Sequence, residues 1–128
     1  MPLTQHEPRD QLPELVLNQR RALETVIEEL EAVAWYNERG AACSDPELKA
    51  VIEHNRNEEI EHAMMGLEWL RRNFPEFNEN MSTYLFQSAP ITELEGLAEG
   101  EGDSDEGGTG SADADAGSLG IGSLKKNK

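Results

Sequence analysis

The sequence is poor in the features that would cross-link the chain, anchor it in a membrane or bind it to nucleic acid. Cys43 is its one cysteine, which excludes an intrachain disulfide and indicates a reducing compartment. The first residues contain neither a basic nor an apolar leader segment, and no apolar run approaches the roughly 18 residues of a membrane span. Acidic residues outnumber basic ones by 26 to 11, which argues against nucleic acid and anionic membranes as partners. We therefore expect a cytoplasmic protein that attracts cations.

Glycine and acidic residues are concentrated near the C-terminus. Nine of the 11 glycines lie at positions 96–122, and nine of the 26 acidic residues lie at positions 93–115. Such a segment cannot bury enough apolar surface to offset the entropy of ordering it, so it is expected to be disordered. We accordingly divide the chain into a helical domain at residues 1–95, an acidic Gly-rich linker at residues 96–116 and a terminal segment at residues 117–128.

The terminal segment has three aliphatic residues separated by glycine and serine, Leu119, Ile121 and Leu124. It is too short to fold alone, but it could bind in an extended form in a groove, with these side chains as anchors. A plain disordered end would have a similar composition, so the pattern alone leaves both interpretations open.

The rest of the chain is expected to be all-α. Apolar residues recur with helical periodicity in two long segments, which predicts a first helix at residues 13–39 and a second from the capping box Ser44–Glu47 to Arg72. A third helix is predicted around residues 77–85, and a short one near residues 91–97. Because a two-helix hairpin buries only one stripe of each helix, we expect it to dimerise into a four-helix bundle.

Carboxylates and an imidazole interrupt the apolar stripes of both long helices. Glu59 and His62 lie one turn apart on a stripe that Leu48 and Leu70 mark as buried. If the two helices fold back antiparallel about a turn near residue 42, Glu29 comes to the same level along the hairpin as Glu59. An unpaired charge in such a place is costly, and a bound cation would be a suitable partner. One Glu with a Glu-x-x-His pair is half of a carboxylate di-iron site, and a second chain would complete it.

Simpler interpretations of these residues stay open. His62 could be an interface histidine that is hydrogen-bonded within its own helix. Glu28, Glu31 and Trp35 form a second stripe, which is either a solvated acidic face or a site where cations approach. Trp35 and Tyr36 are more often packing residues than redox partners. Carboxylate and imidazole ligands suit iron, manganese and zinc, whereas the absence of cysteine ligands argues against structural zinc.

Short segments spread over nearly the whole chain carry a resemblance to a known family. They are EELEAVAWY at 28–36, DPEL at 45–48, HNRNEEIEHA at 54–63, LEWLRR at 67–72, TYLF at 83–86, PIT at 90–92 and GSLGIGSL at 117–124. Together they resemble the encapsulated ferritins, which are cargo proteins of encapsulin nanocompartments.

The resemblance implies a ferroxidase that oxidises ferrous iron with dioxygen. It implies that Glu29, Glu59 and His62 are the ligands of a di-iron centre at a dimer interface. It also implies that Glu28 and Glu31 form an outer metal site, which would take calcium or another divalent cation. Family members form a ring of dimers, a decamer, and the encapsulin shell stores the mineral.

The same resemblance assigns the aromatic residues and the terminal segment. Trp35 and Tyr36 match aromatic positions beside the two metal sites, and residues 117–124 look like the encapsulin-targeting peptide. The position before the tryptophan, which can be acidic in the family, is Ala34 here. Two rival functions stay open: another di-metal protein on this scaffold, either peroxide-consuming or manganese-dependent, and a non-enzymatic helical protein that its tail recruits to a shell.

Overall fold

The computed structural model describes residues 4–104, and all regular secondary structure in that range is helical. The α-helices are α1 (Glu14–Ala42), α2 (Pro46–Asn73), α3 (Pro75–Tyr84) and α4 (Leu94–Ser104), with 3₁₀ turns at Arg9–Gln11 and Ile91–Glu93. None of the helices in the described range is both long enough and apolar enough to cross a membrane. The prediction of an all-α fold is confirmed.

Helices α1 and α2 form an antiparallel hairpin. Near the start of α1, the side-chain amide of Gln19 donates a 2.8 Å hydrogen bond to the carbonyl of Asn73, at the end of α2. Close to the turn, the guanidinium of Arg56 donates to the side-chain oxygen of Asn37 at 2.8 Å. Because these bonds join opposite ends of the two helices, they fix the register that places the middle of α1 beside the middle of α2.

The ends of these helices differ in two details from the sequence prediction. The cap of α2 is Asp45, whose carboxylate accepts a 2.8 Å hydrogen bond from the amide of Leu48, and not Ser44 of the predicted capping box. Proline is favoured at the first helical position, so Pro46 places the cap on the residue just before it. Helix α1 also continues past Gly40, which is buried between the helices and is not a terminator.

The α1–α2 interface buries a narrow apolar stripe, with Leu17 and Val26 on α1 and Ile52, Ala63 and Leu70 on α2. Leu48 was predicted to belong to this stripe, but 51% of it is exposed. A helix that packs against a single neighbour can bury only the side chains that point towards that neighbour. The prediction for Leu48 is therefore wrong for the isolated hairpin.

A second compact unit begins at Glu79. It contains the end of α3, the second 3₁₀ turn and α4, and Leu94 is buried in it. Helix α4 continues to Ser104, which is inside the range predicted to be a disordered linker. The rest of that predicted linker, and the terminal segment at residues 117–128, lie outside the described residues.

Candidate metal centre

Glu29 of α1 meets Glu59 and His62 of α2 in the middle of the hairpin. Each of the three residues offers one ligand atom, and these atoms lie within 4.8 Å of one another. The Nδ1 atom of His62 is 3.3 Å from Oε1 of Glu59 and 3.8 Å from Oε1 of Glu29. Within residues 4–104 this is the one group of three acidic, histidine or cysteine residues that could hold a metal ion. The predicted meeting of these residues across the two helices is present in the structure.

The two carboxyl groups of this cluster shift each other's pKa in opposite directions. The pKa of Glu29 is raised, first by its hydrogen bond to Glu59, and then by desolvation and by the negative charge of Glu59. The pKa of Glu59 is lowered, mainly because it accepts the hydrogen bond from Glu29, and also because His62 donates to it. Two like charges this close repel each other, and one retained proton relieves the repulsion. A bound divalent cation would relieve this repulsion more strongly, because it carries two positive charges.

The donor set fits a first-row divalent metal. Bonds from such a metal to carboxylate oxygen or imidazole nitrogen are about 2.1 Å long, so two of its ligand atoms can be at most about 4.2 Å apart. The distances from His62 Nδ1 to Glu59 and Glu29, 3.3 and 3.8 Å, are within that limit. The side chains are 42% exposed for His62, 25% for Glu29 and 23% for Glu59, so the cluster opens outward from the hairpin. One chain therefore supplies a half-buried set of three ligands that is open on one side.

The other predicted site residues are not part of this cluster. Glu28 is exposed, and neither Glu28 nor Glu31 belongs to a group of three ligands among the described residues. Trp35 is 57% exposed, and the guanidinium of Arg39 lies over the ring of Tyr36 at 5.3 Å. In a single hairpin, therefore, the described residues offer no further candidate ligands around the outer site predicted at Glu28 and Glu31. The predicted anchors Leu119, Ile121 and Leu124 lie outside the described residues.

An open groove of about 440 Å³ begins one turn beyond His62, and its lining residues are Asn18, Arg21, Ala22, Thr25, Gly66 and Trp69. Its charged residue is Arg21, which interacts with the carboxylate of Glu14 at 3.3 Å and donates to Asn18 at 2.6 Å. A guanidinium at this place would repel a cation. The groove is therefore not a second metal site.

Two further residues adjoin the cluster, and the sequence alone did not assign them a role in it. Arg56 lies one turn before Glu59 and binds Asn37 of α1, as described above. Gly66 lies one turn after His62, and a side chain there would collide with Val26 of α1. A glycine in the interior of an amphipathic helix is unfavourable relative to alanine, and this was the available signal for Gly66.

Sequence comparison relates this chain to known proteins. The EncFtn-like family model matches residues 4–88. An encapsulated ferritin-like protein of Rhodospirillum rubrum is 51% identical over 121 residues, which cover 94% of this chain and 86% of the relative. A ferritin-like protein of Thermotoga maritima is 48% identical over 95 residues, or 74% of this chain and 83% of the relative.

A solved structure extends the agreement to the fold. The crystal structure of protein NE0167 from Nitrosomonas europaea is 48% identical, with a TM-score of 0.66 over 68% of this chain and 96% of that chain. The family model's match, residues 4–88, includes the two helices that carry Glu29, Glu59 and His62. The chain therefore belongs to the EncFtn-like family and is an encapsulated ferritin.

Proposed function

We propose that the protein is a ferroxidase, which oxidises ferrous to ferric iron with dioxygen at a di-iron site shared between two chains. The observation that carries this proposal is the cluster of Glu29, Glu59 and His62, whose distances suit a first-row metal. Membership of the encapsulated ferritins supports iron as the metal.

Exposed apolar side chains support the pairing of two chains at this site. With 100° per residue, Leu48, Val51 and Met65 lie within about 60° of His62 around the axis of α2. All three are more than half exposed, at 51%, 52% and 59%. A second copy that covered this face would bury them and would bring a second set of three ligands to the first. The resulting four carboxylates and two imidazoles form the ligand set of a di-iron site. Further pairing would arrange such dimers in a decameric ring.

In the proposed reaction, two ferrous ions each give up one electron. Dioxygen accepts both electrons together with two protons, and hydrogen peroxide leaves. A cation that binds at Glu29 and Glu59 competes with any proton held there, and the charge of the two carboxylates favours the ferric product. His62 must be unprotonated to act as a ligand, so activity should fail in acid.

The acidic stripe of α1 has a separate role in this proposal. Glu28 and Glu31 would concentrate ferrous ions outside the inner site and direct them inward, and they could also hold calcium or another divalent cation. Attraction of this kind acts over distance and is screened by salt, with a Debye length of about 8 Å at physiological ionic strength.

We further propose that the protein works inside an encapsulin shell in the cytoplasm, where the shell stores the oxidised iron. The name of the Rhodospirillum rubrum relative describes it as encapsulated. The terminal segment at residues 117–128 would bind the shell protein through Leu119, Ile121 and Leu124. Replacing these three residues with serine should abolish packaging into a co-expressed shell and leave iron oxidation unchanged. Fusion of residues 118–126 to an unrelated protein should be enough to package that protein.

Stopped-flow oxidation of ferrous iron tests the enzymatic proposal. His62→Ala should abolish most of the activity, because it removes one ligand from each of the two chains. His54→Ala is the matched control, since His54 lies on the same helix, is 71% exposed and interacts only locally with Glu58 at 3.7 Å. Normal oxidation by His62→Ala would refute the site. Faster reaction with peroxide than with dioxygen would instead favour the peroxide-consuming alternative.

Sedimentation tests whether the site is shared. Because each chain supplies only part of the ligand set, binding of iron should be linked to pairing, and iron should raise the dimer population. A metal-free protein with the same sedimentation before and after addition of iron would favour a non-enzymatic shell-recruited protein.

A further inference from the structure

Gly66 lies at a point where α2 contacts α1 without room for a side chain. A Cβ atom at Gly66 would lie 2.6 Å from Cγ2 of Val26, whereas ordinary contact begins at 3.4 Å, so it would be 0.8 Å too close. Gly40 and Gly96 differ: at Gly40 the nearest atoms, on Ile52 and Glu53, are 3.4 Å away, and at Gly96 nothing lies within 4 Å. Val26 is buried and β-branched, so it has little freedom to turn away. The missing side chain at Gly66 therefore permits the present separation of the helices.

This contact is next to the metal cluster on both helices. Gly66 follows His62 by one turn, and Val26 precedes Glu29 by one turn. The cluster itself spans the two helices, because Glu29 is on α1 while Glu59 and His62 are on α2. The separation of the helices at this level therefore sets the distance from Glu29 to the other two ligands, but it leaves the distance between Glu59 and His62 unchanged.

We propose that Gly66 is a positioning residue, which holds Glu29 close enough to Glu59 and His62 for a small divalent cation to bind all three. This inference rests on the proposed ferroxidase site. It gives a reason for a glycine in the interior of α2, where alanine would form a better helix. On the other side of the cluster, the hydrogen bond from Arg56 to Asn37 ties the same two helices together at 2.8 Å.

The expected effect of an added methyl group follows from the distances. His62 Nδ1 and Glu29 Oε1 are 3.8 Å apart, and one first-row metal ion can bridge at most about 4.2 Å. A widening of about 0.8 Å would exceed that limit, whereas the 3.3 Å between His62 and Glu59 would not change. Gly66→Ala should therefore detach Glu29 and leave a weaker site made of two residues on α2. A calcium ion, with bonds of about 2.3–2.6 Å, could still span the wider gap.

Anaerobic titration with Co²⁺, followed by its visible absorption and alongside a thermal melt, tests the inference. We expect Gly66→Ala to bind Co²⁺ at least about tenfold more weakly than the unmodified protein, with an altered spectrum and a smaller loss of Ca²⁺ affinity. Val26→Ala removes the methyl group Cγ2 that the new side chain would strike, so the double variant should recover both affinity and spectrum. Gly96→Ala is the control and should bind as the unmodified protein does, and Val26→Ala alone is the reference for the double variant.

Two outcomes would overturn the inference. The first is a folded Gly66→Ala that binds Co²⁺ with unchanged affinity and spectrum, and the second is a folded double variant that recovers neither. If Gly66→Ala does not fold, Val26→Ile enlarges the opposite side of the same contact and should weaken Co²⁺ binding in the same way; unchanged binding would again overturn the inference. Absence of Co²⁺ binding by the unmodified protein would instead refute the proposed function itself.

Discussion

Glu29→Gln offers a quantitative test of the shared site, because it keeps the size of the side chain and removes its charge. Each chain contributes two carboxylates to the cluster, Glu29 and Glu59. Two chains thus supply four negative charges, which balance two ferrous ions. The variant leaves two negative charges, which balance one ion, and an uncompensated charge in a partly desolvated site is costly. We expect the Glu29→Gln dimer to bind one divalent cation where the unmodified dimer binds two, at least about tenfold more weakly.

Native mass spectrometry with Co²⁺ under argon counts the bound ions, and stopped-flow absorbance follows the oxidation of ferrous iron. Transfer of two electrons to dioxygen needs two adjacent ferrous ions, so the rate should fall by about 100-fold or more. Glu38→Gln is the matched control, since it removes the same charge from the exposed face of α1. A Glu29→Gln dimer that binds two ions and oxidises iron at the normal rate would refute the assignment of Glu29.

The same pair of proteins tests the raised pKa of Glu29. A raised pKa means that Glu29 in the metal-free cluster holds its proton to a higher pH than an ordinary glutamate does. A cation must displace that proton as well as any proton on His62, so Co²⁺ affinity should fall as the pH falls. Displacement of the Glu29 proton adds up to about tenfold per pH unit below the raised pKa. Glu29→Gln has no such proton to lose, so its affinity should depend less on pH in this range. Parallel pH profiles for the two proteins would contradict the raised pKa of Glu29.

Further predictions concern stability, the outer stripe and the tail. Without metal at neutral pH, Glu29→Gln should melt no lower than the unmodified protein. A carboxyl group whose pKa is raised on folding stabilises the folded protein while it is protonated, and this stabilisation is lost as the pH rises through the raised pKa. A lower melting temperature of Glu29→Gln would contradict the raised pKa. Leu70→Ala should cost about 2–5 kcal/mol in urea unfolding, because Leu70 is fully buried. Glu28→Gln with Glu31→Gln should slow oxidation at low iron and low salt and have little effect at high salt, and a loss independent of salt would refute steering. Deletion of residues 117–128 should abolish packaging and spare oxidation, whereas packaging of the truncated protein would show that the folded helices recruit it.

The cluster could be predicted from the sequence because helical periodicity is strong over long segments. A carboxylate and an imidazole one turn apart stand out when the residues around them on the stripe are apolar, as with Glu59 and His62. The short connection between the helices then predicted the position of Glu29 along the hairpin axis to within about one helical turn. Which residues of α1 and α2 lie opposite each other could therefore be predicted from residue spacing with little other information.

Other features depend on contacts that spacing does not specify. The exposure of Leu48 depends on how many neighbours α2 has, and one chain supplies a single long neighbour. The buried position of Gly40 and the contact of Gly66 with Val26 depend on how closely the helices approach. A glycine near the end of a periodic segment is usually a terminator, but α1 continues to Ala42 and Gly40 is buried within it.

Anomalous scattering at the iron edge, from a crystal soaked in ferrous salt, tests the central claim most directly. We predict two iron peaks between two chains, each within bonding distance, about 2.1 Å, of ligand atoms of Glu29, Glu59 and His62, with both chains contributing ligands. Iron bound by one chain alone, or peaks confined to other acidic residues with none at this cluster, would contradict the shared di-iron site.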